Sequence, residues 1–306
     1  MQQVLPRFPE FKKIEISDRE IIESYTSKFP QYSDFGFTSL WAWDTNSSRQ
    51  ISDLRGNLAV QFSDYHTEEP FLSFLGDNDA THTALDLITF AESMKISPVL
   101  RLVPEISALL INRSDLEVEE DRDSFEYLLS VPEIAEYSGA KFESKRKMLK
   151  RFMRENSGAV VEFADLADTN VQASIRSVIR RWEHSKKSSN KEYFLEHEET
   201  SLERLLQTAS SHSLLVGGVF IGGEMQAFTI DEIVGQGICL GQYWKADLMY
   251  KGIYEFLANR VAVHLQAQGI AVWNWEQDLG NLGLRKSKLS YEPCAFLKKY
   301  TVRIRS

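Results

Sequence analysis

Residues 213–279 constrain the fold of this chain more than any other stretch. "SLLVGGVFIGGEMQAFTIDEIV" reads as a β-hairpin turning at Gly222-Gly223, and "GQGICLGQYWKAD" as a further strand. "MYKGIYEFLANRVAVHLQAQG" reads as a helix ended by Gly269, and "AVWNWEQDL" returns to a strand. Ahead of these stand a strand, "AVVEFADL", and two amphipathic helices, "VQASIRSVIRRWEHS" and "NKEYFLEHEETSLERLLQTASS"; a strand-like "CAFLKKYTVRI" follows. Such an order buries its apolar faces as a mixed sheet with helices packed on it, an α+β arrangement.

The first half follows a similar plan. "FKKIEIS" is a strand candidate, and Asp18 a candidate N-cap for the helix "REIIESYTSKF". A hairpin is expected around Gly56-Asn57, and a strand in "PFLSFLG". In the helix "THTALDLITFAESMKI", Leu85, Ile88, Ala91 and Met94 share one face. "PVLRLVP" is another strand, and an acidic segment closes the half. Between the halves, "KFESKRKMLKRFMREN" predicts a connecting helix with two stripes. Lys147, Lys150, Arg151 and Arg154 form a basic stripe, and Phe142, Leu149, Phe152 and Met153 an apolar one. Lys145 and Arg146 fall on the apolar side, where a cation needs an anion or must snorkel to water; they are candidates for an anion pocket. The expected division is 1–140, a connecting helix over 141–158, and 159–306.

At 306 residues two domains are the first expectation. The net charge of −9 is unevenly spread: residues 1–140 hold 11 Lys/Arg against 25 Asp/Glu, residues 141–157 hold 7 against 2, and residues 245–306 hold 10 against 5. The two basic islands suit a local anionic ligand or, equally, solvated helix faces. Cys239 and Cys294 match no metal spacing, the six histidines are scattered, and no nucleophile elbow or Walker-type loop is present. No metal or tightly bound cofactor is expected. Apolar runs are too short to cross a bilayer and no signal-peptide layout is seen, so a cytoplasmic location without an integral membrane segment is expected. His264 reads as a core residue.

The most unusual stretch is "VWNWEQDLGNLGLRKSKLSYEP", residues 272–293. Alternation puts Trp273 and Trp275 on one face of a strand and Asn274 and Glu276 on the other. Carboxylates, an amide and three cations then gather where the strand surfaces.

Taken with "GAKFESKRKMLKRF" and "QYWKADLMYKGIYEFL", this stretch resembles the soluble C-terminal domain of phosphatidylglycerol lysyltransferases, which are tandem N-acetyltransferase-like (GNAT-like) proteins related to Fem-type aminoacyltransferases. The resemblance implies two diverged GNAT-like copies and transfer of an activated acyl or aminoacyl group to an amine or hydroxyl, by direct attack without a covalent nucleophile. In those lysyltransferases the donor is an aminoacyl-tRNA and the acceptor a lipid head group. For this chain the implied co-substrate is an aminoacyl-tRNA or an acyl-CoA. The implied partners are a tRNA acceptor end and a small-molecule, peptide or lipid head-group acceptor. A degenerate copy that only binds is the remaining alternative.

By the same resemblance, donor phosphates would sit at the start of the helix opened by Tyr250, Lys251 and Gly252, where free N–H groups favour an anion. Tyr254 stands where the usual signature has a second small residue, and a packing role for Gly252 is the alternative. The 159–306 copy would hold the active site, because nothing comparable opens the helix after "PFLSFLG". Glu276 and Asp278 would lie nearest the splayed strands, as proton acceptors or as ligands for an acceptor's ammonium. Arg285, Lys286 and Lys288 would reach phosphate or a developing oxyanion. Trp244, Gln242, Asn274 and Gln277 would line the acceptor pocket. The competing reading pairs Glu276 and Asp278 with Arg285 and Lys288 simply to close a turn.

Overall fold

A computed structural model of the chain describes residues 4–65, 67–187, 195–235 and 237–305. The chain runs β1 (Lys12–Lys13), α1 (Arg19–Thr26), α2 (Phe37–Ala42), β2 (Gln50–Leu54), β3 (Asn57–Ser63), β4 (Pro70–Leu75), α3 (Ala80–Ser93), β5 (Leu100–Pro104), α4 (Glu105–Ala108), β6 (Leu116–Glu120), β7 (Glu126–Ser130) and α5 (Val131–Glu136). The connecting helix is α6 (Glu143–Glu155). Then follow β8 (Val160–Asp165), α7 (Thr169–Lys187), α8 (Leu195–Gln207), β9 (Leu214–Ile221), β10 (Glu224–Val234), β11 (Ile238–Ala246), α9 (Ile253–Ala267), β12 (Val272–Asn274), α10 (Leu282–Leu289), β13 (Ala295–Leu297) and β14 (Lys299–Ile304). Residues 190–194, the start of the helix expected after "KKSS", lie outside the described residues. Among the described residues no helix is long and apolar enough to cross a membrane.

Three sheets result: β1-β2-β3-β4, β5-β14-β6, and the seven-stranded β13-β7-β12-β11-β10-β9-β8. In the large sheet only β11 and β12 run parallel; the other pairs are antiparallel. α5, α6 and α9 cover one face, with Phe142, Phe152, Phe256, Leu257 and Val261 in the core beneath them. α7 and α8 cover the other, joined there by Ala42 and Trp43 of the first half. The stretches 1–140 and 159–306 trade strands: β7 inserts between β12 and β13, and β14 between β5 and β6. The single closing strand expected over 294–304 is therefore two short strands in different sheets, divided at Lys298.

Local chemistry accounts for several elements. Arg55 and Gly56, both at positive φ, turn the β2–β3 hairpin, and Gly222 and Gly223 turn β9 into β10. Asp18 precedes α1 but makes no side-chain cap to it. Its carboxylate accepts instead from Lys12 Nζ (2.7 Å) and Glu15 N (2.8 Å), and only Lys12–Lys13 of "FKKIEIS" is strand. On α3 the buried stripe is Ala84, Leu87, Ile88 and Ala91. Leu85 is partly buried, and Met94, at the C-cap, is exposed because the helix ends at Ser93. Met153 of α6 is likewise exposed rather than core.

Candidate functional site

β11 and β12 pair only from Ile238↔Val272 to Leu240↔Asn274. Beyond that point β11 continues to Ala246 beside β10, whereas the chain after Asn274 turns to β7. Trp275 N donates to Tyr127 O (2.9 Å), and Tyr127 N to Glu276 O (3.2 Å). The sheet therefore splits between Gly241–Ala246 and residues 275–277. A bulge in β11 places the extra residue Gln242 opposite the Ile230–Asp231 step of β10, and consecutive Gln242 and Tyr243 both reach helix α2 and its end. Gln242 accepts from Ser39 Oγ (3.2 Å), and the Tyr243 ring stacks on Trp43 with centroids 5.9 Å apart.

Glu276 stands at the mouth of this split. Its backbone is left-handed (φ 56°), and the loop is fixed by the Lys288 ammonium, which donates to the carbonyls of Trp275, Glu276 and Gln277. Asn274 Oδ1 accepts from Glu276 N (2.8 Å). The half-buried Glu276 carboxylate itself makes no hydrogen bond or ion pair with any described residue. Burial pushes its carboxyl well up, with Lys288 opposing and Glu126 and Asp34 adding. Burial pushes the Lys288 ammonium down, and Glu276 and Asp278 oppose that. Across the opening lies an aromatic wall: Trp43 meets Tyr65 at 5.0 Å edge-on, and the Tyr243 hydroxyl bonds Ser201 Oγ. Burial lifts the Tyr65 hydroxyl to about 12, Arg49 opposing, Asp34 and Glu276 adding.

The same mixed α+β fold occurs in solved structures. A conserved protein of unknown function from Bacteroides thetaiotaomicron superposes with a TM-score of 0.84 at 24% identity, covering 99% of this chain and 100% of that one. L-PGS from Bacillus licheniformis superposes with a TM-score of 0.61 at 16% identity over 99% and 95% of the two chains. FemX does so with a TM-score of 0.58 at 9% identity over 97% of each. No curated protein sequence matches. The profile of the family "Phosphatidylglycerol lysyltransferase, C-terminal" matches residues 26–303, most of the chain. The chain belongs to that family.

Several residues singled out from the sequence of this lysyltransferase-family chain turn out to be committed internally. Asp278 is fully buried, and both its oxygens are occupied: Arg285 Nε and Nη2 at 2.9 and 2.7 Å, the Tyr127 hydroxyl, Gly280 N at 2.9 Å, and Arg122 at 3.4 Å. Against the penalty of burial, these donors hold its carboxyl below the usual range, so it is a loop anchor rather than a proton acceptor. Arg285 also pairs with Asp123 (2.6 Å), and Lys288 has given its three protons to carbonyls, so neither is free for phosphate. Lys286 remains exposed on α10.

Lys145 is buried against Glu255 (3.3 Å) and the Tyr291 ring (3.5 Å), and Arg146 caps the chain after α5 through the Tyr137 and Gly139 carbonyls. Neither lines an anion pocket. Gly252 (φ 86°) lets α6 approach: a Cβ there would stand 2.3 Å from Met148 O, so the glycine serves packing. Tyr250 packs on the core, and Lys251 is exposed. Trp244 and Trp275 meet edge to face at 4.4 Å, filling the α9 side of the split with indole rings. His264 is half-buried and stacked on Phe163 at 3.7 Å.

Asn274 and Gln277 belong to a buried polar cluster that the sequence reading missed. Lys299, with no exposed surface, pairs with Asp34 and with Glu126 (2.6 Å) and donates to Gln277 Oε1 (2.8 Å). Asn274 donates to Glu126, and Gln277 to Asp34 (3.2 Å). The one available signal was "LKKY": in an alternating strand, one of two adjacent lysines must face inward. Trp43, Tyr65 and Arg49 gave no such signal, since they come from the half judged structural.

Proposed function

We propose that this chain is an acyl or aminoacyl transferase whose reaction takes place at the split between β11 and β12, with Glu276 as the proton acceptor. One observation carries the reading. Glu276 is a carboxylate without a hydrogen-bonding partner, held by Lys288 on a strained loop where the strands part and facing an aromatic wall. An acceptor amine or hydroxyl attacks the donor's carbonyl carbon as Glu276 takes its proton. The tetrahedral adduct collapses with cleavage of the donor's C–O bond, and the proton passes to the leaving hydroxyl. A carboxyl pushed above its ordinary value is a stronger base once ionised.

The donor favoured is an aminoacyl ester of tRNA. Coenzyme A needs an open helix start for its pyrophosphate and an open split for its arm. Here α6 packs onto Gly252, and Trp244 and Trp275 fill one side of the split. The exposed cations Lys147, Lys150, Arg151 and Arg154 on α6 suit a nucleic-acid backbone, and binding through them falls with salt. The names of the family and of L-PGS support the same reaction class.

The test incubates the full chain with charged tRNA or, in parallel, acetyl-CoA, plus separate lipid and water-soluble extracts as acceptor sources. The expected result is loss of the aminoacyl ester, label appearing in one extract, and abolition by Glu276→Gln. Transfer from acetyl-CoA alone, or equal turnover by the Gln variant, would overturn the proposal.

A further inference from the structure

The seven-stranded sheet also holds buried acids that the reaction does not use, Asp231 among them. Asp231, on β10, has no exposed surface, and its neighbours on the α9-facing side are Thr229 on its own strand and Trp273 on β12. Its Oδ1 accepts the Trp273 indole N–H at 2.9 Å, although β11 lies between the two strands. That bond is possible because the residue between them is Gly241. A Cβ on Gly241 would stand 3.2 Å from Trp273 Nε1 and 3.6 Å from Asp231 Oδ1. The bond crosses the sheet beside the last β11–β12 pair, Leu240↔Asn274, and beside the β11 bulge at Gln242, at the apex of the split. Asp231 Oδ2 is buried with no hydrogen-bond partner, as is the Thr229 hydroxyl.

We propose that Asp231 is a positioning residue for the candidate site, acting as a neutral acid that bolts β10 to β12 across Gly241 and so fixes the width of the split. The functional half of this proposal rests on the reading of the split as the reaction site. Trp273 carries the constraint outward. Its ring packs on Trp244 (5.6 Å) and Trp275 (5.2 Å), and Trp275 immediately precedes Glu276. An ionised carboxylate with one bare oxygen is costly in such surroundings, whereas a carboxylic acid keeps the Oδ1 acceptor and carries no charge. Burial pushes the Asp231 carboxyl up to about 7, and the Trp273 bond only partly opposes it.

The titratable group that senses Asp231 from β11 is the buried Cys239 thiol, which also senses Glu232, the next residue on β10. α9 presents Leu257, Ala258, Val261 and Ala262 to this core, with the Tyr254 phenol edge-on to Trp244 (5.8 Å) and the buried Asn259 amide turned to the Ile134 and Ala135 carbonyls. As pH rises through 7 the bolt therefore becomes a buried charge in search of water. The tryptophan cluster is its reporter.

The test measures near-ultraviolet circular dichroism of the full chain from pH 5.5 to 8.5. Wild type is expected to show a one-proton step near pH 7 that Asp231→Asn abolishes and Glu276→Gln retains. A step that persists in Asp231→Asn, or no step in wild type, would sink the proposal whatever the fate of the transfer reaction. Where transfer from charged tRNA is measurable, Asp231→Leu should lower kcat at least tenfold with KM within twofold, and Asp231→Asn should restore it. If Asp231→Leu does not fold, the Asn variant and the spectral step decide alone. If wild type transfers nothing, the reading of Glu276 fails while the spectral result still judges the bolt.

Discussion

Replacing Lys299 by Met is the sharpest test of how the two halves are held together. Met fills nearly the same volume, so packing is largely kept and the charge is lost. What remains are Asp34 and Glu126, facing each other in a site with essentially no exposed surface, and a Gln277 carbonyl without its donor. Removing one member of a buried ionic cluster costs about 3–5 kcal/mol. Unfolding entropy scales as about 2.1 cal/mol/K per residue, so over 306 residues each kcal/mol moves Tm by roughly 1.6 °C. The expected fall is thus roughly 5–8 °C by calorimetry at pH 7.5.

The triple variant Lys299→Met, Asp34→Asn, Glu126→Gln should recover most of the loss. A Tm within 1 °C of wild type for Lys299→Met alone would refute the claim that this cluster clamps β14 and β7 to the site.

Three further outcomes are expected. Asp278→Ala strands Arg285, Arg122 and Tyr127 and should cost about 2–4 kcal/mol; because the folded pKa of Asp278 is lowered, the deficit should hold from pH 8 to 5 and close only below about pH 4, as acid titration will show. Gly252→Ala combines a left-handed backbone with a Cβ driven against Met148 O and should cost about 2–4 kcal/mol, read as a lowered Tm and faster proteolysis between α6 and α9. Wild-type transfer should rise with pH through an inflection far above the ordinary carboxylate value, toward about 8. Glu276→Gln should cut that rate at least a hundredfold without lowering Tm, because an ionised, buried, unpaired carboxylate contributes no stability.

Much of the architecture is legible from local pattern. Gly222-Gly223 and Gly56 mark hairpins because few other residues accept their dihedrals, and Gly269 ends α9 for the same reason. Alternation placed Trp273 and Trp275 together, and their rings do meet at 5.2 Å, but the strand expected over 271–279 is only Val272–Asn274, so Glu276 lies beyond it on a left-handed turn. For the charged residues, pattern alone does not tell a free side chain from one committed to an internal partner. Asp278, Lys288, Lys145 and Arg146 look like site residues because they are ionic and near apolar positions. Their partners, respectively Arg285, the 275–277 carbonyls, Glu255 and the carbonyls after α5, decided that they are structural.

The sequence by itself determined the longer helices, the glycine hairpins, their order and the family, because dihedral preference and side-chain periodicity act over a few residues. Only the tertiary structure decided that β7 and β14 change sheets, that Lys299 joins Asp34 and Glu126 across 265 and 173 positions of chain, and that Tyr65, edge-on to Trp43, lies within reach of the Glu276 charge. Burial and electrostatic partnership depend on which distant segments pack together, and that separated Glu276, unpaired among the described residues, from the paired Asp278, Glu126 and Asp34.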